Sequence, residues 1–368
     1  MPSKSIAEAP PVLDFSVIYG NDATAKSELV ETVKKCCLRN GFFQIVGHRV
    51  PRDLQEDVLD SVKSFFNLPQ ELKEKVHKDN TSWNRGYESL GSQILEAGTN
   101  PDLKEGFYIG EEISKSHPYF TGKKLNSGPN QWPTSTSSSS FDAEKFHRVS
   151  IHYYNHMHAL AREVLGVIAL TLDLPQDYFQ PFTTGAVATL RYLHYPPQPP
   201  TSDEKLTRGI GAHTDFGSIT LLMQDEVDGL QVYEKTTDEW LDVTPIPGAY
   251  VVNLGNMFMR WSNDRYISNL HRVINKSGKE RYSVPFFFSG HPDFVIDCLP
   301  NCRGEGEGKK YEAITVMDCV GGSYRESYGK AKVFKEQQQQ QQQQQQGNVM
   351  KKDVGVEMTT AASKEIVV

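Results

Sequence analysis

The spacing of apolar residues changes along the chain. Helical and strand patterns alternate in the first part, and strand patterns predominate in the second. In the first part, residues 12–15 and 42–46 are short runs of apolar, β-branched and aromatic residues, which predict strands. Residues 23–39 and 52–66 carry apolar side chains three and four positions apart, which predicts helices, and Pro69 suits the first turn of another. The chain is therefore expected to begin in the order β, α, β, α, α.

After a further expected strand at residues 105–109 and a long helical pattern at 141–172, the period becomes that of strands. Short apolar segments separated by polar turns predict strands at residues 187–195, 211–223, 229–233, 240–243, 249–254, 269–274 and 284–288. Regular short strands of this kind favour a closed double-sheet jelly roll. We therefore expect a mainly β protein with flanking helices, built on a double-stranded β-helix (jelly roll) core with an α/β N-terminal region, and a closing helix at residues 314–328.

Three residues on the predicted strands could bind a metal. His213 and Asp215 lie two apart, and side chains two apart on a strand point to the same face. His271 lies in another extended segment, which a folded sheet could bring alongside the first. Two histidines and one carboxylate on one face of a metal are typical of non-haem Fe(II) oxygenases. Catalytic zinc accepts the same ligands, so the spacing alone does not decide the metal.

A possible carboxylate-binding pair follows ten residues after His271. Arg281 and Ser283 share a strand face by the same two-residue rule, and the apolar strand continues to Phe288. An arginine fork beside a hydroxyl at the mouth of an apolar cavity suits a carboxylate held end-on. A 2-oxo acid that chelates the metal and reaches Arg281 and Ser283 with its far carboxylate would use both groups.

With these motifs in this order, the chain resembles the 2-oxoglutarate and Fe(II)-dependent dioxygenases of the isopenicillin N synthase-like family, in their fungal form, over roughly residues 11–330. The resemblance implies that His213, Asp215 and His271 bind Fe(II), with 2-oxoglutarate and O2 as cosubstrates. Tyr195 matches the family tyrosine that hydrogen-bonds the oxo acid. Leu193 stands where plant members often carry an asparagine contact, so that contact is absent or replaced.

The resemblance also implies substrate contacts and a reaction class. Phe287 matches the position where an aromatic ring stacks on the substrate, while Tyr87 and Phe107 lie on segments near the family's cavity, and all three could equally pack in the core. The implied reaction is hydroxylation, desaturation or ring modification of a small-molecule metabolite, in fungal secondary metabolism, with release of succinate and CO2. Alternatives are oxidation of a thymine-type nucleobase, a same-fold Fe(II) oxidase without 2-oxoglutarate, and a zinc hydrolase or binding protein. The substrate, the position oxidised and the oligomeric state stay open.

Composition narrows the partners and the compartment. The 46 acidic residues outnumber the 39 basic ones, which argues against nucleic acid or an anionic membrane as a partner. The N-terminus lacks the apolar core of a signal peptide and no window reaches membrane-spanning length, so a cytoplasmic protein is expected. The five cysteines are too few for a disulfide framework and are expected to be reduced.

Four segments are expected along the chain. Residues 1–10 form a flexible arm, 11–180 an α/β region whose long helices pack on the barrel, 181–330 the jelly-roll dioxygenase domain with its closing helix, and 331–368 a disordered tail with a glutamine run at 337–346. Within the long helix, His152 and His156 are four apart and could face one metal. The glutamate of a zincin motif is missing there, so a packed or solvated role is preferred.

Overall fold

The N-terminal elements follow the expected order. A computed structural model describes residues 9–135, 141–198, 201–203, 205–304, 306, 308–322, 329, 331 and 333–334. It begins with strand β1 (Val12–Asp14), helix α1 (Ala23–Arg39), strand β2 (Phe42–Val46), helix α2 (Arg52–Phe66) and the short helix α3 (Gln70–Glu74). Asp22 caps α1 by accepting from the backbone N–H groups of Thr24 and Ala25, and Gly41 follows its end with φ of 72°, a conformation that favours glycine.

The remaining elements alternate between strands and a few helices. The strands are β3 (Gly86–Glu88), β4 (Glu105–Ile109), β5 (Val187–Tyr195), β6 (Ile210–His213), β7 (Ile219–Gln224), β8 (Leu230–Glu234), β9 (Glu239–Asp242), β10 (Tyr250–Leu254), β11 (His271–Val273), β12 (Arg281–Gly290), β13 (Val295–Ile296) and β14 (Ile314–Thr315). The helices are α4 (Pro118–Thr121), α5 (Ala143–Thr171), α6 (Gln180–Thr183) and α7 (Asn256–Trp261).

Two sheets face each other and form the predicted jelly roll. Among the described residues, the major sheet has the strand order β1-β2-β10-β7-β12-β5-β4-β3 and the minor sheet the order β6-β11-β8-β9. Strands β1 to β4 therefore extend the major sheet, so the N-terminal region is built into the barrel. The prediction of a mainly β jelly roll with an α/β N-terminal region is confirmed.

The period of two along β5 explains where the cores lie. Leu190 and Tyr192 belong to the large core between the major sheet and the helices, and the Tyr192 hydroxyl donates to Ser150 on α5 at 2.8 Å. Leu193 and Tyr195 belong instead to a smaller cluster between the two sheets. Helix α2 packs against β5 and β12, and α5 packs against β7 and β12, so the two helices cover one face of the major sheet. Its other face is left to form a cavity with the minor sheet.

Two local predictions were wrong. The expected strand at residues 211–223 is two strands, since β6 belongs to the minor sheet, β7 belongs to the major sheet, and residues 214–218 connect them. Alternation of apolar residues cannot reveal a crossing between sheets, because the period is the same on both sides of it. The expected helix at 314–328 begins as strand β14, which pairs with β13, and becomes helical over residues 316–322.

Some expectations concern residues that the structure does not describe. They are most of the arm at residues 1–10, the second half of the expected closing helix and the glutamine-rich tail from residue 335 onward. Each of the five cysteines is described and is a free thiol. Within the described ranges, no helix combines the length and the apolar character needed to span a membrane.

Candidate active site

The two sheets bring His213, Asp215 and His271 together. Strands β6 and β11 are antiparallel with His271 directly opposite His213, and Asp215 follows the end of β6. Oδ1 of Asp215 lies 3.7 Å from Nε2 of His213 and 3.6 Å from Nε2 of His271. One potential ligand atom from each of the three residues lies within 4.8 Å of the others, and no second such group of metal-binding side chains occurs among the described residues.

Backbone carbonyls determine which nitrogen of each histidine faces this cluster. Nδ1 of His213 lies 2.8 Å from the carbonyl oxygen of Gly211, and Nδ1 of His271 lies 3.2 Å from that of Asn269. A carbonyl oxygen can only accept, so each Nδ1 carries the proton and donates it. In the neutral imidazole the lone pair is then on Nε2, the nitrogen that faces Asp215, as a metal-binding histidine requires.

Two side chains orient the carboxylate of Asp215. Its Oδ2 accepts a hydrogen bond of 2.6 Å from the Thr220 hydroxyl and one of 2.7 Å from the Asn253 amide, which leaves Oδ1 toward the imidazoles. Burial by itself would raise the pKa of Asp215, but the two histidines and these two donors bring it below its usual value. Burial and the neighbouring His271 lower the pKa of His213. An ionised carboxylate beside a neutral imidazole is the protonation state that a divalent cation needs.

Thr220 and Asn253 were not identified from the sequence. Both are buried polar residues in mainly apolar strands, and such residues normally have a specific partner. That signal could have marked them, although it could not have named Asp215 as the partner. The donor set of two imidazoles and one carboxylate, held from one side, fits Fe(II).

Arg281 and Ser283 lie on β12 in the same cavity, as the two-residue spacing predicts. Arg281 is fully buried, its Nε donates to the Val227 carbonyl at 3.2 Å, and its Nη2 donates to Oε1 of Gln224 at 2.8 Å. Nη1 is buried and has no hydrogen-bond partner among the described residues. A buried charged donor without an acceptor is costly, which indicates that a ligand supplies the acceptor.

Tyr195 completes this end of the cavity. It lies opposite Arg281 in the pairing of β5 with β12, and the guanidinium carbon is 4.8 Å from the centre of its ring. Its hydroxyl is 3.4 Å from Oγ of Ser283. Burial raises the pKa of Tyr195, so the hydroxyl keeps its proton and can donate. Three donors thus converge where a carboxylate could be bound.

The cavity that joins both groups has a volume of about 930 Å³, including solvent at its mouth. Half-buried Phe287 lines it, and its predicted contact with the substrate stays a prediction. Val320 lines the cavity from the helical segment 316–322. Phe42 also lines it and meets the His271 ring edge-on, with 5.4 Å between the ring centres. The sequence did not predict the contacts of Phe42 and Val320, because both depend on which element covers the open face of the sheet.

The structure does not bring Tyr87 and Phe107 to this cavity. The Tyr87 hydroxyl donates to Oε2 of Glu105 at 2.6 Å, and the Phe107 ring packs 4.6 Å from that of Phe65 on α2. Both belong to the core beneath the helices. Their positions match the alternative given from the sequence, that they pack in the core. The reason is the period of two: Phe107 lies opposite Tyr192, which faces α5 and not the cavity.

The histidines of α5 are separate from this site. Nε2 of His152 and Nε2 of His156 lie 3.2 Å apart at the helix surface. Among the described residues, no third metal-binding side chain joins them.

Comparison with known proteins identifies the family to which the chain is similar. The family model described as the 2OG-Fe(II) oxygenase superfamily matches residues 186–290, and the model described as non-haem dioxygenase in morphine synthesis N-terminal matches residues 10–135. The chain is 59% identical over 329 residues to the 2-oxoglutarate-Fe(II) type oxidoreductase hxnY of Emericella nidulans, covering 89% of this chain and 93% of that protein.

A second relative and a solved structure point to the same family. A 2-oxoglutarate-Fe(II) type oxidoreductase of Aspergillus fumigatus is 48% identical over 330 residues, which cover 90% of this chain and 96% of the relative. Among solved structures, a full-length Neurospora crassa protein in complex with alpha-KG and thymine has a TM-score of 0.73 and 30% identity, over 84% of this chain and 95% of the other.

Proposed function

Because the chain belongs to the 2OG-Fe(II) oxygenase superfamily and is a non-haem Fe(II)- and 2-oxoglutarate-dependent dioxygenase, we propose how its own residues carry that activity. His213, Asp215 and His271 bind Fe(II), and Arg281, Ser283 and Tyr195 bind the far carboxylate of 2-oxoglutarate. The observation that supports this division most directly is Nη1 of Arg281, a buried donor without a partner among the described residues, in the same cavity as the three ligands.

The protein contributes charge, orientation and a dry cavity to the reaction. Bound Fe(II), with 2-oxoglutarate and O2, supplies the oxidation, in which the oxo acid is decarboxylated to succinate and CO2 while the substrate is oxidised. Asp215 supplies one negative charge, and its two hydrogen bonds hold that charge in place before any ligand arrives. Such preorganisation lowers the cost of assembling the reactants.

Arg281 is held in advance in the same way. Its bonds to Val227 and Gln224 fix the guanidinium plane, so the remaining Nη1 is already directed when the oxo acid binds. The charge of the oxo acid's carboxylate would be neutralised in a buried environment, where a charged hydrogen bond is strong. Side chains at alternate positions of β12, from Arg281 to Phe287, line the cavity. We propose that the oxo acid takes the Arg281 end and that the substrate contacts Phe287.

The substrate is a small molecule that undergoes hydroxylation, desaturation or ring modification. A flat ring would stack on the half-buried Phe287 side chain at the cavity wall. The structural relative that holds thymine makes a heterocycle of that size a useful first probe. We also propose that residues 181–330 carry the catalytic unit and that residues 11–180 support it.

The test is a turnover assay on the full chain loaded anaerobically with Fe(II). A panel of aromatic and heterocyclic metabolites, including thymine, is supplied with 2-oxoglutarate and O2. The expected result is succinate release, with a product that has gained one oxygen atom or lost two hydrogen atoms, and loss of both in His213→Ala. Product formation without 2-oxoglutarate would instead assign Arg281 to a carboxylate of the substrate. Absence of succinate with every compound would contradict the proposal.

A further inference from the structure

Strand β6, which carries His213, is an edge strand with an irregular register. In the minor sheet it pairs with β11 alone, and His213 and Ile210 lie opposite His271 and Val273. Three residue steps on β6 thus match two steps on β11, which is the signature of a β-bulge. The backbone N–H groups of the two residues at the bulge, Gly211 and Ala212, donate to side chains. An edge strand of this kind needs other partners to hold its backbone in one position.

Two carboxylates supply those partners. Oδ1 of Asp102 accepts the N–H of Gly211 at 3.0 Å, and Oε2 of Glu96 accepts the N–H of Ala212 at 2.7 Å. Both acids lie on the segment between β3 and β4, more than 100 residues before the strand that they hold. The same Glu96 carboxylate forms an ion pair with Arg208.

The backbone is shaped to receive Glu96. A Cβ atom at Gly211 would lie 2.6 Å from Cβ and 3.0 Å from the backbone nitrogen of Glu96, so only glycine allows this approach. Asp102 is 1% exposed, which places its hydrogen bond to Gly211 in the interior. The contact between the segment and β6 is therefore a close-packed one, with little room for either backbone to move.

The bond from Glu96 reaches His213 through a single peptide group. The N–H of Ala212 and the carbonyl of Gly211 belong to the same peptide, and that carbonyl accepts the Nδ1 proton of His213 at 2.8 Å. A carboxylate that accepts the N–H polarises the peptide, which makes its carbonyl a stronger acceptor. A stronger acceptor on Nδ1 fixes the imidazole ring and raises the basicity of Nε2.

His271 lacks this arrangement. Its Nδ1 donates to the carbonyl of Asn269, and the N–H of the same peptide, on Leu270, is bonded to the neutral side-chain oxygen of Asn269 at 2.9 Å. The two histidines thus have the same local geometry, but only the peptide behind His213 carries a charged partner.

We propose that Glu96 is a positioning residue for His213, acting through the peptide between Gly211 and Ala212, with Asp102 holding the neighbouring N–H. This inference rests on the proposed function, in which His213 binds the metal. The segment that carries Glu96 also contributes Leu95 to the wall of the cavity, so one element lines the cavity and supports a ligand.

The test compares metal affinity in Glu96→Ala, Glu96→Gln and a matched control, Glu234→Ala. Glu234 also pairs with an arginine, Arg39, and accepts a backbone N–H, that of Thr236, but it has no hydrogen bond to the peptide behind either histidine. The metal-free full chain is titrated with Co(II), followed by visible absorption and calorimetry, and the Tm is measured with and without metal.

We expect Glu96→Ala to weaken Co(II) binding by about 10- to 100-fold, the range for losing a partner that orients a metal ligand. Glu96→Gln, which keeps an acceptor but not the charge, should lie between Glu96→Ala and the wild type, and Glu234→Ala should bind as the wild type does. The Tm increase caused by the metal should shrink in Glu96→Ala. If that variant does not fold, Glu96→Gln alone decides the matter by its Kd.

The outcomes separate this inference from the proposed function. Wild-type affinity in both Glu96 variants, or an equal loss in Glu234→Ala, would overturn the role of Glu96 and leave the three ligands in place. Failure of the wild type to bind Co(II), or binding that survives His213→Ala, would overturn the proposed function itself.

Discussion

Replacing Arg281 with lysine separates the positive charge of this buried side chain from the fixed directions of its hydrogen-bond donors. In the structure each guanidinium nitrogen has its own direction: Nε bonds to Val227, Nη2 bonds to Gln224, and Nη1 has no partner among the described residues. Lysine keeps the positive charge but has one nitrogen on a flexible stem. Its single nitrogen cannot donate to the Val227 carbonyl, to Gln224 and to a ligand carboxylate in the directions that the guanidinium allows.

The expected loss follows from the contacts removed. A hydrogen bond to a charged group contributes about 1.5–3 kcal/mol. Since about 1.4 kcal/mol corresponds to a tenfold change in affinity, Arg281→Lys should raise the Kd and the KM for 2-oxoglutarate roughly 10- to 150-fold. The proposed metal ligands are on other segments of the chain, so Co(II) affinity and kcat at saturating 2-oxoglutarate should change little.

The assay is succinate formation as a function of 2-oxoglutarate concentration, together with calorimetric binding of 2-oxoglutarate to the metal-loaded enzyme without oxygen. Arg272→Lys is the matched control. It makes the same substitution on β11, where Arg272 lies over the Trp240 ring, 4.0 Å from its centre, and does not line the cavity. An unchanged KM for 2-oxoglutarate in Arg281→Lys, with normal metal binding, would refute Arg281 as the carboxylate anchor.

Three further substitutions test the other contacts. Asn253→Leu removes one of the two donors to Oδ2 of Asp215 and should weaken Co(II) binding about tenfold in calorimetry, and an unchanged Kd would contradict its orienting role. Tyr195→Phe removes a hydroxyl beside the expected carboxylate and should raise the KM for 2-oxoglutarate about fivefold, a loss of about 1 kcal/mol, with kcat unchanged. Tyr87→Phe removes a buried donor to Glu105 and should lower the free energy of unfolding in urea by about 1–3 kcal/mol. A raised substrate KM in that variant would instead indicate that Tyr87 contacts the substrate.

Local patterns were sufficient for several helices and strands and for residue pairs that share one strand. The bounds of α1, α2 and β2 agree with the apolar spacing, because helix and strand periods are properties of short segments. Arg281 and Ser283 line one cavity because residues two apart on a strand always share a face. His213 and Asp215 also converge, but for a different reason than expected, since Asp215 lies beyond the end of β6.

The resemblance placed Tyr87 and Phe107 near the cavity, and the period of two could not test that placement. The period states that Tyr87 and Phe107 alternate with their neighbours, but it does not state which side of the sheet meets the helices. The structure turns both toward the core under α2 and α5. That choice depends on which elements cover the sheet, and these come from distant parts of the chain.

The sequence by itself determined most of the element types and the jelly-roll class, and it singled out the proposed metal and oxo acid residues, because each depends on residues a few positions apart or on a recognisable order of motifs. Only the tertiary structure decided what holds those motifs in place. Asn253 is 38 residues from Asp215, and Glu96 is 116 residues from Ala212. A hydrogen bond depends on distance and direction in space, and for residues so far apart these exist only after both sheets have assembled.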